Sequence, residues 1–418
     1  MLNNIRFDLS DYLIHFFRDV DLSGPEHIFF PEHARFNNIA HSGKLDSLFL
    51  MRCALRHHKL FATWSYRGGR PTIYGTSPAI CFTDMPLAAF IQTSNERLAR
   101  GENIGRYAFM IPKAAMFAEG ARPVIYGLSG EVREQSANGG DFRILDQQLM
   151  PLREQYRYVA YTIGDARHID WTHEREWRWP YRGHDMHWSD DGDMVQTLAE
   201  MPGLDLSRTS IEGMGVIVKD SMDVKKIIYD ILTLVDSQII HKSMIRFVIP
   251  LCDIERFGDI TNPARVSHII NQNSIDLSPF FSITPQRAKE ICTIVDNIIK
   301  DNVDKRLHSD KHCDESYGKS WVWIADNQSE LVRALIAKRR LIVSTEGRYL
   351  LDISDFTDFY IMHEEFYCKK IALALAREFY VNASYFTVRG ATDCDHIPSY
   401  TGLTERDHPF FNSTIAMD

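Results

Sequence analysis

Residues 171–179 read Trp171-Thr-His-Glu-Arg-Glu-Trp-Arg-Trp179, and the reading of the fold turns on them. Alternating charged and aromatic side chains predict a strand. Successive side chains on a strand point to opposite faces, so Glu174, Glu176 and Arg178 share one face and His173, Arg175 and Trp177 the other. Two carboxylates beside an arginine allow one charge to be held while the other does acid–base or cation-stabilising work. A half-exposed strand laced by ion pairs is the plainer reading of the same alternation.

Working outward, residues 12–17, 79–83, 106–111 and 123–126 read as strands, and 44–62 and 142–163 as helical. Residues 128–141 and 183–194 read as loops. Beyond them come a strand at 213–218, a helix and a strand at 247–251. The helix carries apolar residues at 224, 227, 228, 231, 234 and 235, a stripe of helical period. Together these predict a strand-rich α+β unit over residues 1–255. Residues 256–317 read as a helical linker region. In it, Thr284 and Pro285 form an N-cap and first-turn pair, and Ile291, Ile294, Val295, Ile298 and Ile299 line one helix face. A smaller accessory α/β domain follows over 318–418, with strands at 321–325, 341–345 and 385–388 and helices at 329–338 and 359–380.

The chain has 418 residues, 44% hydrophobic and 25% charged, the proportions of a folded globular protein. Lys plus Arg is 47 and Asp plus Glu is 56, a net charge of -9, which argues against a wholly basic surface but not against a basic patch. The N-terminal residues lack the basic and apolar regions of a signal peptide, and no apolar run approaches a membrane span. Seven scattered cysteines form no CxxC pair, which fits reduced thiols in a cytoplasmic protein without membrane attachment.

Metal chemistry finds little support. His173-Glu174 and His363-Glu364 lack the second histidine of HExxH. His312, Cys313, His363, Cys368, Cys394 and His396 match no finger spacing, so no metal ligand is assigned. Walker A, GxGxxG and Gly-X-Ser-X-Gly patterns are absent.

Several motifs in order resemble one family. They are His15-Phe-Phe-Arg18, Ala79-Ile-Cys-Phe-Thr-Asp-Met-Pro-Leu87, Tyr107-Ala-Phe-x-x-Pro-Lys113 with Gly120-x-x-Pro-Val-Ile-Tyr126, and Glu174-Arg-Glu-Trp-Arg178. The set is similar to the abortive-infection (AbiGi-type) phage-defence proteins and, more distantly, to the DarT and CmdT ADP-ribosyltransferase toxins. The resemblance spans roughly residues 10–250. It implies an ADP-ribosyltransferase-like split β-sandwich that grips NAD in a central cleft. It further implies a phage-defence toxin that modifies RNA or single-stranded DNA and is restrained by a neutralising antitoxin protein. The last hundred residues look like an accessory domain found in some relatives.

Carried over by position, His15 or Arg18 serves the first family element, Thr83 or Ser77 the second, and Glu176, with Glu174, the third. Arg18 would grip the pyrophosphate and His15 the adenosine ribose, with Phe16, Phe82 and Tyr126 completing the NAD site. Cleavage of the nicotinamide–ribose bond passes through an oxocarbenium-like transition state, which a carboxylate stabilises. Two other classes stay open: a catalytically inactive NAD-binding or sensing module, and a metal-dependent nucleic-acid hydrolase using Glu174 and Glu176.

Residues 51–70 contain Arg52, Arg56, Lys59, Arg67 and Arg70, no acid, and Trp64 among them. Basic residues interleaved with aromatics suit single-stranded nucleic acid, where phosphates are neutralised and bases stack. A solvated helix face followed by a loop is the plainer alternative.

Overall fold

The computed structural model describes residues 10–21, 44–67, 70–102, 104–129, 134–136, 143–163, 168–183, 202–255, 268, 271–303, 317–356 and 361–411. Most of the loops read at 128–141 and 183–194, together with His312 and Cys313, lie outside the described residues.

Alternating apolar runs build an eight-stranded sheet. Its strands are β1 (Tyr12–Phe17), β2 (Ala79–Thr83), β3 (Tyr107–Pro112), β4 (Arg122–Pro123), β5 (Glu176–Pro180), β6 (Met214–Val218), β7 (Ile245–Pro250) and β8 (Ile275–Asp276). Their order in space is β8-β7-β6-β3-β1-β2-β5-β4. Every pairing is antiparallel except β6 with β7. A parallel pair needs a crossover, and the striped helix Ser221–Asp236 supplies it.

Helices cover both sheet faces. Helix α1 (Ser47–Arg56) opens at Asp46, whose side chain accepts from Phe49 N. It packs with the Ser221–Asp236 helix over Leu13, Phe109, Val216 and Val248. Helix α2 (Leu87–Ala99) covers Ile14, Ala108, Met110 and Ile217 from the other side through Phe90 and Ile91. The class is mixed α+β. Beside the eight-stranded sheet, with helices on both its faces, the described residues of this unit form five two-stranded sheets.

That sheet nevertheless has a seam. β1 pairs with β3 along its whole length, from Tyr12 opposite Pro112 to Phe17 opposite Tyr107. With β2 it pairs only at Ile14 opposite Thr83. Beside this point the His15 ring reaches across, and Nδ1 lies 2.8 Å from the Cys81 carbonyl oxygen. A carbonyl only accepts, so Nδ1 carries the proton.

The second domain contains α4 (Pro285–Asn302), α5 (Glu330–Ala337) and α6 (Ile361–Phe379). Its strands are β9 (Gly318–Ile324), β10 (Leu341–Val343), β11 (Tyr349–Leu351), β12 (Ala383–Arg389) and β13 (Ser399–Thr401), in the order β10-β11-β9-β12-β13. Its three helices share one core with β9 and β11, in which Ile291, Val295 and Ile299 of α4 are buried. The helix read as linker therefore belongs to this domain. The first sheet likewise runs past residue 255, to β8.

Helix α3, the crossover helix Ser221–Asp236, joins the two domains. Ile227 and Ile231 face the first core. On its other side the Tyr229 hydroxyl donates to Gly347 O at 2.7 Å, and Arg333 Nη1 donates to Asp236 Oδ1 at 3.0 Å. Among the described residues no helix is long and apolar enough to cross a membrane.

Candidate active site

The 171–179 segment is not one strand. Thr172–Glu174 form a 3-10 turn, and Arg175 then takes a left-handed conformation at φ 49 before β5 begins at Glu176. For a long side chain that conformation is costly, so neighbours must hold it. Arg175 O accepts from Asp84 N at 3.2 Å, and Thr83 Oγ1 donates to Glu174 O at 2.6 Å while accepting from Met85 N. Asp84 in turn pairs with Lys113 at 2.6 Å. Glu174 thus owes its position to the turn and not to strand alternation.

Cross-strand partners share a face, so the register sets up the site. Ile14, Thr83 and Glu176 form one row across β1, β2 and β5. Glu176 Oε1 accepts from Arg178 Nε at 2.7 Å and Oε2 from Nη2 at 3.3 Å. Arg178, 4% exposed, also donates Nη1 to Tyr156 O at 2.6 Å and Tyr158 O at 3.2 Å. Glu176 N donates to the Tyr126 hydroxyl at 2.8 Å. Burial pushes that hydroxyl up to about 12, so it stays protonated while accepting from the Glu176 N–H. Burial and the neighbouring Glu176 raise the Cys81 thiol, which therefore stays neutral against the carboxylate. Glu174 pairs with Arg97 of α2 at 3.0 Å, and Arg97 also holds Glu102 at 2.7 Å.

The other expected NAD residues divide. Ser77 precedes β2 at the end paired with Pro180, six residues from Thr83, or about 20 Å at the rise of a strand. Thr83 is the hydroxyl at the glutamates. His15 and Phe82 face the opposite side, with ring centroids 5.6 Å apart, and His15 meets Phe17 at 5.0 Å. Burial lowers the His15 pKa, so the ring is neutral. Phe16 points to α2 and meets Phe90 at 6.0 Å. Arg18 is half-buried one residue past β1. Arg97 also lies at the site and was not singled out in the sequence, whereas Cys81, Asp84 and Lys113 stand inside the quoted motifs without an assigned role. Acid–base partners far apart in the chain left no local pattern to find.

The basic stretch is corrected more strongly. Arg52 and Arg56 are 3% and 7% exposed and converge on Asp230, which is fully buried, at 2.7 and 3.2 Å. Arg52 also donates to Pro409 O at 2.7 Å and Phe411 O at 2.9 Å, and the Phe410 ring lies 3.7 Å from the Arg56 guanidinium carbon. Lys59 is 6% exposed. Arg52 and Arg56 build the contact between domains, and all three residues are too buried to offer a surface to nucleic acid. Trp64 is half-buried; Arg70 is exposed and pairs with Glu134 at 3.2 Å; the Arg67 side chain lies outside the described residues.

Among the described residues one group of three possible metal ligands occurs, Asp393, Cys394 and Asp395. Asp393 Oδ1 already accepts from Asp395 N, and Asp395 Oδ1 accepts from Thr345 N and Oγ1. One local bond and the two from Thr345 account for this acidic group.

Fold and site define a two-domain α+β protein whose larger domain carries paired, arginine-held glutamates at a sheet seam. Residues 286–413 match a family model described as "Protein of unknown function (DUF4427)". The match coincides with the smaller domain, α4 included, and leaves out the sheet that carries Glu176. No curated protein and no solved structure matches the chain.

Proposed function

We propose that the larger domain is an NAD-dependent ADP-ribosyltransferase with an ADP-ribosyltransferase-like core, acting as a phage-defence toxin. The observation that carries this reading is the row Ile14–Thr83–Glu176 at the β1–β2 seam. It brings the second and third expected elements together where the sheet parts. Glu176 would stabilise the ribosyl cation as the carbon–nitrogen bond to nicotinamide breaks. The leaving ring takes the bond's electron pair, and the acceptor then attacks the ribose carbon and gives up a proton. Glu174, turned toward Arg97, is the nearby base for that proton. The Tyr126 hydroxyl accepts from Glu176 N and so fixes the start of the strand that carries the glutamate, and Arg18 is the candidate pyrophosphate ligand.

The acceptor class, RNA or single-stranded DNA, rests on the resemblance and on Trp64 and Arg70, since Arg52, Arg56 and Lys59 are buried. Incubation with labelled NAD and separate pools of RNA, single-stranded DNA, duplex DNA and protein tests it. Label on a single-stranded pool supports the reading; no label and no nicotinamide release refutes it. A neutralising antitoxin belongs to the same proposal.

One observation favours a second reading, an NAD-binding module without turnover. Both Glu176 oxygens are already engaged by Arg178. Binding of NAD without release of nicotinamide would select it. Arginines on both glutamates disfavour a metal-dependent hydrolase, because each carboxylate charge is already balanced.

A further inference from the structure

A cavity of 490 Å³ opens at the far end of β5 from Glu176, between β4 and residues 154–157. It falls within the range of small-ligand sites, about 300–1,000 Å³. Trp179 in its wall lies three residues from Glu176, about 10 Å along the strand and on the opposite face.

Three guanidiniums from separate segments meet there: Arg122, Arg157 and Arg182. Two are positioned by backbone carbonyls. Arg122 Nη1 donates to Phe117 O and Ala121 O, both at 2.7 Å, and its guanidinium carbon lies 3.9 Å from the centre of the Phe117 ring. Arg157 Nε donates to Pro123 O at 3.0 Å, and its Nη1 pairs with Glu154 at 3.0 Å. Among the described residues no carboxylate pairs with Arg122 or Arg182. Trp179 is fixed by its indole N–H, which donates to Glu119 O at 2.8 Å, and it lines the cavity.

Forked guanidiniums match phosphate oxygens in pairs, and an indole face takes a planar base. We propose that this cavity binds a nucleoside 5′-phosphate unit. Glu119 and Glu154 offset part of the positive charge, so phosphate alone binds weakly and the base adds to the affinity. The site is distinct from Glu176 and goes beyond the transferase reading. The unit has two sources, a free nucleotide or a residue of a single strand.

Calorimetry on the full chain tests the proposal with 5′-mononucleotides, the matching nucleosides, inorganic phosphate and a short single-stranded RNA. A mononucleotide is expected to bind at least tenfold tighter than its nucleoside and than inorganic phosphate. Arg182→Ala, at an exposed position, removes that preference. Glu176→Gln keeps it, which separates failure of this site from failure of the transferase reading. Tighter binding of the oligonucleotide than of the mononucleotide assigns the strand as source, and the reverse assigns the free nucleotide. Equal binding of nucleotide and nucleoside, no binding of either, or a preference that survives both Arg182→Ala and Arg157→Ala overturns the proposal.

Discussion

Glu176 and Arg178 grip each other from positions two apart on one strand face, with Nε–Oε1 at 2.7 Å and Nη2–Oε2 at 3.3 Å. The glutamate therefore serves both as counter-ion to a buried guanidinium and as the candidate catalytic carboxylate. The two roles separate by substitution. Glu176→Gln keeps the shape and one acceptor for Arg178 but removes the balancing charge, so some stability is lost and nicotinamide release per folded molecule is expected to fall at least about 100-fold, on the scale of losing a transition-state stabilising group. Glu176→Ala leaves Arg178 buried and unpaired, at a cost of about 3–5 kcal/mol. Urea unfolding of both variants checks the contrast.

Thr83 and Ser77 give opposite expectations. Thr83→Val deletes the donor to Glu174 O and the acceptor for Met85 N, leaving buried backbone groups short of a partner. The expected loss is about 1–3 kcal/mol, with reduced turnover as the Glu174 turn loosens. Thr83→Ser retains both bonds and most of the activity. Ser77→Ala changes neither quantity. Paired melting and rate measurements decide between the hydroxyls.

The contrast between domains shows what was legible in the chain. Helices α4 and α5 carry side-chain N-caps at Thr284 and Ser329 and clear apolar stripes, and both formed close to the expected bounds. Strands β1 and β2 matched the apolar runs at 12–17 and 79–83. Residues 171–175 failed because the left-handed Arg175 is imposed by Asp84 and Thr83, far away in sequence. Residues 142–163 failed as a helix. Strand Arg143–Leu145 pairs with Glu134–Ser136 instead, and a 3-10 turn, Leu152–Arg157, follows. The basic stretch failed for the same long-range reason: its partner Asp230 lies 178 residues beyond Arg52. Local charge counting does not see such a partner.

Asp230 neutralises charge that two arginines bring into the contact between domains. Asp230→Asn removes that charge and leaves Arg52 and Arg56 poorly compensated. A loss of about 3–5 kcal/mol is expected in denaturant unfolding. Arg52→Ala should likewise lower stability, while nucleic-acid affinity of the folded fraction stays unchanged. A selective loss of affinity with full stability would contradict the buried assignment.

Acid should weaken the fold through buried histidines. Burial, followed by the charges of His58, Arg56 and Lys59, holds His57 down to about 3. Unfolded, it takes a proton near the ordinary value of about 6.5. Between these values the unfolded chain binds more protons, so stability is full above about 6.5 and is lost as pH falls toward 3. His15 and His408 are lowered by burial in the same sense. Urea midpoints measured from pH 7 to pH 4 should decline, and His57→Gln should make the decline shallower.

The central claim, that Glu176 drives cleavage of NAD, is tested most directly by nicotinamide release from NAD by the full chain. The wild-type chain is predicted to release nicotinamide, and Glu176→Gln, assayed per folded molecule, to lose that release by at least about 100-fold. Release that survives the substitution, or NAD bound by the wild type without any release, would contradict it.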